Sequence, residues 1–496
     1  MNNALPDLHG RQRLFRVCAT PVPKNSGGFI QMKISNCCIM LLLSVGLAAC
    51  GSSGTGNTAS GSEGSNPATE ITDPQNPSTD SSEPESPSER LQPNVLLIIS
   101  DDQGIDAAAQ YSVSADIPNT PNLNALAEAG LVFDNAWATP ACTTTRGSII
   151  TGQHGVNSGI DRVPDFMPTE TMTLQRYLES NSSVDTAVIG KWHLTGGDSS
   201  LASHPIDSGV GYYAGNIAGT IDDYASWPLT LDGQIATVTE YHTTQVTNLA
   251  IDWIAGREQP WFMWLAYVAP HSPFHLPPAN LHNRTSLSGD AADIDANPRP
   301  YYLAAIEAMD SEIGRLLDSM STAERENTLI VFIGDNGTPA RVIDTQVYAR
   351  DHSKSSLYEG GIRVPMIVSG AGVTQRNQRS TAMVNTTDLF STVTDAFGLE
   401  TATTVDGVSF YSLLDGQQSN VRDYNYSEFV GSGNRPTGWT VRNQRYKLIE
   451  YSDGTQELFD LSIDRAETDN LIVSGSVDTA VVAELEAFGE TIRQGR

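Results

Sequence analysis

From Asn94 onward, apolar and polar positions follow two alternating rhythms. Short unbroken apolar runs at 95–99, 186–189, 261–268, 329–333 and 365–368 predict strands buried on both faces of a parallel sheet. Between them, apolar residues recur at helical spacing over 174–178, 246–254, 302–317 and 388–397. Thr120-Pro121 opens a further helix through Leu123, Leu126 and Ala127, and Gly130 stops it. Strands alternating with helices predict an α/β fold, a large and mainly parallel sheet covered by helices on both faces. The texture changes near Val421. Short runs at 439–442, 446–449 and 457–460 predict a small antiparallel sheet, and 480–492 a closing helix. The expected layout is a catalytic domain over 93–420 and a C-terminal α+β subdomain over 421–496.

The first part of the chain has a different pattern. Residues 50–92 are Ser, Gly, Thr, Pro and Glu with almost no large apolar side chain, the composition of a disordered tether. Before them, Met32-Lys33 opens a better signal peptide than Met1, with an apolar stretch too short to span a bilayer. That stretch ends in Leu47-Ala48-Ala49-Cys50-Gly51, which resembles a bacterial lipobox. The resemblance implies export, a lipid on Cys50 as mature N-terminus, and residues 1–31 as an upstream extension. Loss of 1–49 would leave 24 basic and 57 acidic residues, a net charge of −33 against −29 for the whole chain. Such a charge argues against nucleic acid as a partner, and a polyanionic substrate would need a local basic pocket. Cys18, Cys37 and Cys38 fall in the removed part and Cys50 carries lipid. Cys142 is then the one thiol of the domain, without a disulfide partner.

Ligands of parallel sheets gather at the carboxyl ends of the strands. Four strand ends release polar clusters: Ser100-Asp101-Asp102-Gln103, Gly190-Lys191-Trp192-His193, Ala269-Pro270-His271-Ser272 and Gly334-Asp335-Asn336-Gly337. Each alone could be a turn. Asp101, Asp102, Asp335 and Asn336 offer oxygen ligands only, which suits Ca²⁺ or Mg²⁺ better than Zn²⁺. After the apolar run 131–133 and Pro140, an amphipathic segment beginning near Arg146 would put Cys142 just ahead of a helix N-terminus. Backbone N–H groups and the helix dipole favour an anion there.

Cys142-Thr143-Thr144-Thr145-Arg146, followed by Ile149-Ile150-Thr151-Gly152, resembles the signature of the type I, formylglycine-dependent sulfatases, of the alkaline-phosphatase-like superfamily. That signature is Cys-x-Pro-Ser-Arg, then Leu-Thr-Gly. Thr145 stands for the serine, and Thr144 for the proline that the maturing enzyme reads. Gly190-Lys191-Trp192-His193 and Pro270-His271 resemble further family motifs, and Thr195 interrupts the first before Gly196. Lys354, ahead of Tyr358-Glu359-Gly360-Gly361-Ile362-Arg363, matches the second sulfate-binding lysine. Glu457-Leu458-Phe459-Asp460-Leu461 resembles the family's tail.

The resemblance implies a sulfatase that hydrolyses a sulfate ester of a carbohydrate or an aryl alcohol. Cys142 would be the precursor of formylglycine, made by a maturase. Asp101, Asp102, Asp335, Asn336 and residue 142 would hold one divalent metal, Ca²⁺ first and Mg²⁺ second. Arg146 would orient the modified residue, and Lys191 and Lys354 would bind sulfate. A hydroxyl of the aldehyde hydrate would attack sulfur, His271 would protonate the leaving alcohol, and His193 would assist release of sulfate. The alternatives are a phosphoesterase or phosphonate hydrolase of the same superfamily, or an inactive lipid-anchored glycan-binding protein. Loops at 201–241 and 274–300 are expected to line the substrate pocket. His154, His204, His275, His282 and His352 are left without a role.

Overall fold

The computed structural model describes residues 92–431 and 433–495. The lipobox, the signal segment and nearly all of the tether lie outside the described residues. Among those described, no helix is long and apolar enough to cross a membrane.

Ten strands form the main sheet, named here in chain order: β1 (Asn94–Ser100), β2 (Leu131–Trp137), β3 (Asp185–Gly190), β4 (Tyr212–Gly215), β5 (Trp227–Leu231), β6 (Gln234–Val238), β7 (Trp261–Ala266), β8 (Thr328–Gly334), β9 (Met366–Gly370) and β10 (Gln378–Asn385). Their spatial order is β10-β2-β9-β8-β1-β7-β3-β4-β5-β6. β9 and β5 run against the others, so the sheet is mainly but not wholly parallel. β1, at the centre, pairs in parallel with β7 and β8 and is buried along its whole length.

Side chains alternate across a strand, and both faces of this sheet are covered. Val95, Leu97 and Ile99 enter a core shared with helices Cys142–Thr151, Leu174–Asn181 and Asp388–Ala396. Leu96 and Ile98 enter the opposite core, under Pro121–Ala129, His242–Ile254 and Pro298–Ser319. This is the doubly covered α/β architecture expected of the alkaline-phosphatase-like fold.

The predicted polar clusters follow β1, β3, β7 and β8, which are consecutive in the sheet as β8-β1-β7-β3. All four end on the same edge. The antiparallel β9 begins there, so the 335–365 connection that carries Lys354 stays on that edge.

A second, antiparallel sheet contains β11 (Asn425–Phe429), β12 (Gly438–Arg442), β13 (Tyr446–Tyr451) and β14 (Gln456–Asp460). Helix Thr479–Arg493 closes one face through Leu485 against Tyr426, Trp439 and Leu448. The other face places Phe429, Ile449 and Phe459 against Ala141 and Leu357, which flank the candidate site. A buried charge network fastens this contact. Lys447 Nζ lies 2.6 Å from Glu467 and 3.4 Å from Glu359, whose carboxylate also accepts from Trp137 Nε1 at 2.9 Å. Removing one member of such a group leaves an uncompensated charge in the interior.

Candidate active site

Cys142 is the first residue of helix Cys142–Thr151, with Ala141 as N-cap. It therefore lies inside the first turn, not just ahead of it. The helix is also not amphipathic, because every residue from Cys142 to Thr151 is buried. The threonines make this possible by pairing their hydroxyls locally. Thr139 Oγ1 bonds to both Thr144 Oγ1 and Thr145 Oγ1, and Thr144 Oγ1 donates to the Ala141 carbonyl at 2.9 Å. Thr145 Oγ1 accepts from the Thr139 N–H at 3.1 Å, a side-chain tie back across the helix entry. Thr144 thus anchors this turn by hydrogen bonds where the resembling signature has the fixed φ of proline.

The polar strand ends converge on Cys142. Ligand atoms of Asp101, Asp102, Cys142 and His271 all lie within 4.8 Å of one another. Asn336 Nδ2 donates to Asp102 Oδ1 at 2.8 Å, and Asp335 Oδ1 accepts from the Asp102 N–H at 3.0 Å. Lys191 Nζ bonds to Asp101 Oδ2 and Lys354 Nζ to Asp102 Oδ1. Lys354 Nζ also lies 3.3 Å from Cys142 Sγ. Arg146 pairs with Asp335 at 3.1 Å and donates to the Lys191 carbonyl at 2.8 Å. His193 Nε2 is 3.3 Å from Thr143 Oγ1. The structure thus gathers Asp101, Asp102, Cys142, Arg146, Lys191, His193, His271, Asp335, Asn336 and Lys354 in one contact network. The two lysines expected to face sulfate engage the carboxylates, and His271 joins the oxygen cluster, with Nε2 3.6 Å from Asp102.

Backbone strain marks the same place. Asp102, His193 and Ser355, next to Lys354, have φ of 70°, 62° and 67°. Non-glycine residues in that region cost about 1–3 kcal/mol each and persist where the surroundings fix them.

The electrostatics are those of a crowded, dry site. Burial pushes the Cys142 thiol up to about 11, further than Lys191 and Lys354 pull it down. The thiol is therefore protonated near neutral pH and a poor nucleophile as it stands. Burial and the nearby Asp101 raise the Asp335 carboxyl to about 6, against the pull of Arg146. Burial would raise Asp102 as well, but Lys354 and His271 outweigh it and hold that carboxyl well below its usual range. Burial, then Lys191 and Arg146, drive the His193 imidazole well below its ordinary value.

A hard cation fits this donor set. Among the described residues, Asp101 Oδ1 and Asn336 Oδ1 are buried oxygens that accept no hydrogen bond, and each lies on a side chain of the cluster. Unpartnered buried oxygens are costly, and an oxygen-seeking cation is the partner their chemistry suits.

The histidines without an expected role are tied into the frame. Trp192 Nε1 donates to His204 Nδ1 at 3.0 Å, and the Arg284 N–H to His282 Nδ1 at 3.1 Å. His154 packs edge-on to Tyr426, its N–H on Asp406 at 2.9 Å. His275 bonds to Tyr241 and His352 to the Ala466 carbonyl. His242, which sequence reasoning passed over, is buried against Trp227 and Tyr224, with Nε2 3.1 Å from Asn216 Oδ1. Burial, helped by His275 and Lys191, pushes its imidazolium down to about 3. Below pH 6.5 the unfolded chain takes up a proton here that the fold refuses. Stability is then complete above pH 6.5 and falls on acidification, by about 2 kcal/mol at pH 5 from this group. Urea unfolding of the parent and H242Q at pH 7.5 and 5.0 checks this. The parent should lose about 2 kcal/mol more than the variant, and equal losses would show that His242 titrates normally in the fold.

The fold is matched by known proteins. The family model described as Sulfatase matches residues 93–399. A second, described as N-sulphoglucosamine sulphohydrolase, C-terminal, matches residues 350–494 and so begins with the loop of Lys354. The chain is 28% identical to arylsulfatase G of Rattus norvegicus, over 74% of this chain and 77% of that one. It is 24% identical to N-acetylglucosamine-6-O-sulfatase of Bacteroides thetaiotaomicron, over 77% and 83%. Among solved structures, BT4656 in complex with its substrate D-glucosamine-2-N,6-O-disulfate superposes with a TM-score of 0.66 at 21% identity, covering 81% of this chain and 98% of that one. Ps i-CgsB in complex with k-i-k-neocarrahexaose also gives 0.66, at 23% identity and coverages of 78% and 90%. These likenesses do not favour the phosphoesterase or the inactive binding protein. With well over half its length matched by the family model, the chain belongs to the sulfatases, the sulfuric ester hydrolases.

Proposed function

We propose that this sulfatase works through a formylglycine made from Cys142, beside one Ca²⁺ held by Asp101, Asp102, Asp335 and Asn336, on a sulfated carbohydrate. The observation that carries this reading is the setting of Cys142 Sγ, 3.3 Å from Lys354 Nζ and within 4.8 Å of ligand atoms of Asp101, Asp102 and His271. A thiol held protonated by burial has no evident use there, whereas an oxygen in its place would face the cation site and both lysines. A formylglycine hydrate would supply an oxygen nucleophile, C–O cleavage would return it to the aldehyde, and addition of water would restore the hydrate. The cation supplies positive charge and polarises oxygen.

The chain's own residues do the rest. Lys191 and Lys354 place point charges beside the non-bridging sulfate oxygens, where charge is carried through the reaction. Arg146, buried between Asp335 and the Lys191 carbonyl, fixes the spacing of these groups. His271 Nδ1 bonds to the Ser272 carbonyl at 2.7 Å, which leaves Nε2 as the nitrogen facing the site. As the imidazolium, a form that burial disfavours by pushing this ring down to about 4, His271 hands the Nε2 proton to the ester oxygen as the S–O bond opens, so that the alcohol leaves neutral. His193, beside Thr143, takes the proton released when sulfate departs.

A carbohydrate substrate is supported by two of the similar proteins, the N-acetylglucosamine-6-O-sulfatase and BT4656 with its D-glucosamine-2-N,6-O-disulfate, whose names specify sulfated sugars. It also suits an exported domain tethered through a lipid on Cys50. Two measurements test the reading together: the mass of the Cys142 peptide from protein made in its native host, and turnover of an aryl sulfate against aryl phosphate mono- and diesters. The expected result is the aldehyde mass with sulfate preferred. An unmodified cysteine in protein that turns over phosphate esters as fast as the sulfate would overturn it.

A further inference from the structure

Between β4 (Tyr212–Gly215) and β5 (Trp227–Leu231) the chain runs as the segment 216–224. It reaches both site histidines. An ideal Cβ on Gly219 would lie 2.1 Å from His193 Nε2 and 2.3 Å from both Cδ2 and Cε1. The Gly219 backbone therefore packs directly on the imidazole. Gly219 is not among the residues with positive φ. Its backbone would accept alanine, so the requirement for glycine here is one of space alone.

The segment is held firmly enough for that contact to matter. The Trp192 N–H donates to the Asn216 carbonyl at 3.0 Å and the His193 N–H to the Ile217 carbonyl at 3.1 Å. Asn216 is fully buried, donates from Nδ2 to the Ala218 carbonyl at 2.9 Å, and meets His242 through Oδ1. At the far end, the Tyr224 hydroxyl donates to the His271 carbonyl at 2.7 Å. The Tyr224 ring stacks on His275 at 3.9 Å, and His275 Nδ1 bonds to the Pro273 carbonyl, two residues beyond His271. His193 holds φ of 62°, a conformation that needs such support from its surroundings.

We propose that the 216–224 segment is a positioning strap for both histidines, Gly219 seating His193 by the space it leaves and Tyr224 seating His271 by one hydrogen bond. Neither residue touches the reacting atoms. The proposal rests on the proton-transfer roles given above to His193 and His271.

The test is a pair of double-mutant cycles on the full-length protein, with 4-nitrophenyl sulfate as probe and Ca²⁺ present. G219A is expected to lower kcat by about 10²-fold, with KM changed less than about twofold and the thermal midpoint unmoved. In an H193A background the same alanine should cost nothing further. Y224F removes one hydroxyl and no volume, and should lower kcat by about tenfold with His271 present and not in H271A. The proposal fails if either substitution costs the same factor with and without its histidine, or if it raises KM at unchanged kcat. Should G219A not fold, the Tyr224 cycle decides alone. A crystal structure of G219A reads displacement of the imidazole whatever the turnover, and an undisplaced ring overturns the Gly219 half. Failure of the underlying reading looks different: the parent itself would turn over no sulfate ester.

Discussion

C142A is expected to lower kcat on 4-nitrophenyl sulfate by at least about 10⁴-fold while the protein stays folded, because the substitution removes the nucleophile and little else. Cys142 is buried, so its loss leaves a small void worth about 1 kcal/mol, well within the stability of a domain this large. In the proposed reading the other side chains of the cluster bind, orient or carry protons. Lys191 Nζ and Lys354 Nζ bond to Asp101 and Asp102, Thr143 Oγ1 lies 3.3 Å from His193 Nε2, and the remaining members are carboxylates, an amide, Arg146 and His271. C142S sharpens the result. Its hydroxyl sits where the modified oxygen is expected, but it lacks the second hydroxyl that C–O cleavage needs. It should release at most one alcohol per protein molecule and then stop. Stopped-flow release of nitrophenolate, with thermal unfolding as the folding control, checks both variants. Multiple turnovers by C142A would place the nucleophile elsewhere.

The frame of this site was legible because it lies where apolar pattern and polar breakout meet. The runs at 95–99, 261–268 and 329–333 became β1, β7 and β8, and the residues just past them form the cluster. What stayed hidden has identifiable physical causes. The run 365–368 reads the same in either direction, and only the return of the 335–365 connection along one edge sets β9 antiparallel. β6 is exposed at most of its positions and β10 opens with the polar Gln378-Arg379-Ser380, so neither carries an apolar signal. Glu359, Lys447 and Glu467 look like surface charges, and their burial follows from the meeting of two sheets far apart in sequence. The helix of Cys142 misled for a related reason, since its threonines satisfy one another and need no solvent. Gly219 and Tyr224 act through an absent side chain and one hydroxyl on residues remote in the chain, which no local pattern reports.

Removal of divalent cations is expected to stop turnover and lower the thermal midpoint by about 3 °C relative to protein in Ca²⁺ at about a hundred times its Kd. Asp101, Asp102 and Asp335 share one buried space with Lys191, Lys354 and Arg146. That arrangement ties up both lysines and leaves Asp101 Oδ1 and Asn336 Oδ1 unpaired. A cation held by these oxygens would answer the unpaired acceptors, and the ammonium groups of Lys191 and Lys354 would then be left to sulfate. Its loss should therefore cost activity twice, in metal chemistry and in substrate charge, while stability falls only by the linkage term. Ca²⁺ should restore both at lower concentration than Mg²⁺, because Ca²⁺ takes six to eight oxygen ligands at flexible distances whereas Mg²⁺ demands a near-ideal octahedron. D101N and N336A should flatten the dependence of the midpoint on Ca²⁺, since D101N removes a carboxylate charge and N336A an amide oxygen from the two side chains whose Oδ1 has no hydrogen-bond partner among the described residues. Differential scanning calorimetry over a Ca²⁺ series, in parent and variants, makes the comparison. A midpoint that ignores Ca²⁺ in the parent would mean that the carboxylates are balanced by Lys191, Lys354 and Arg146 alone.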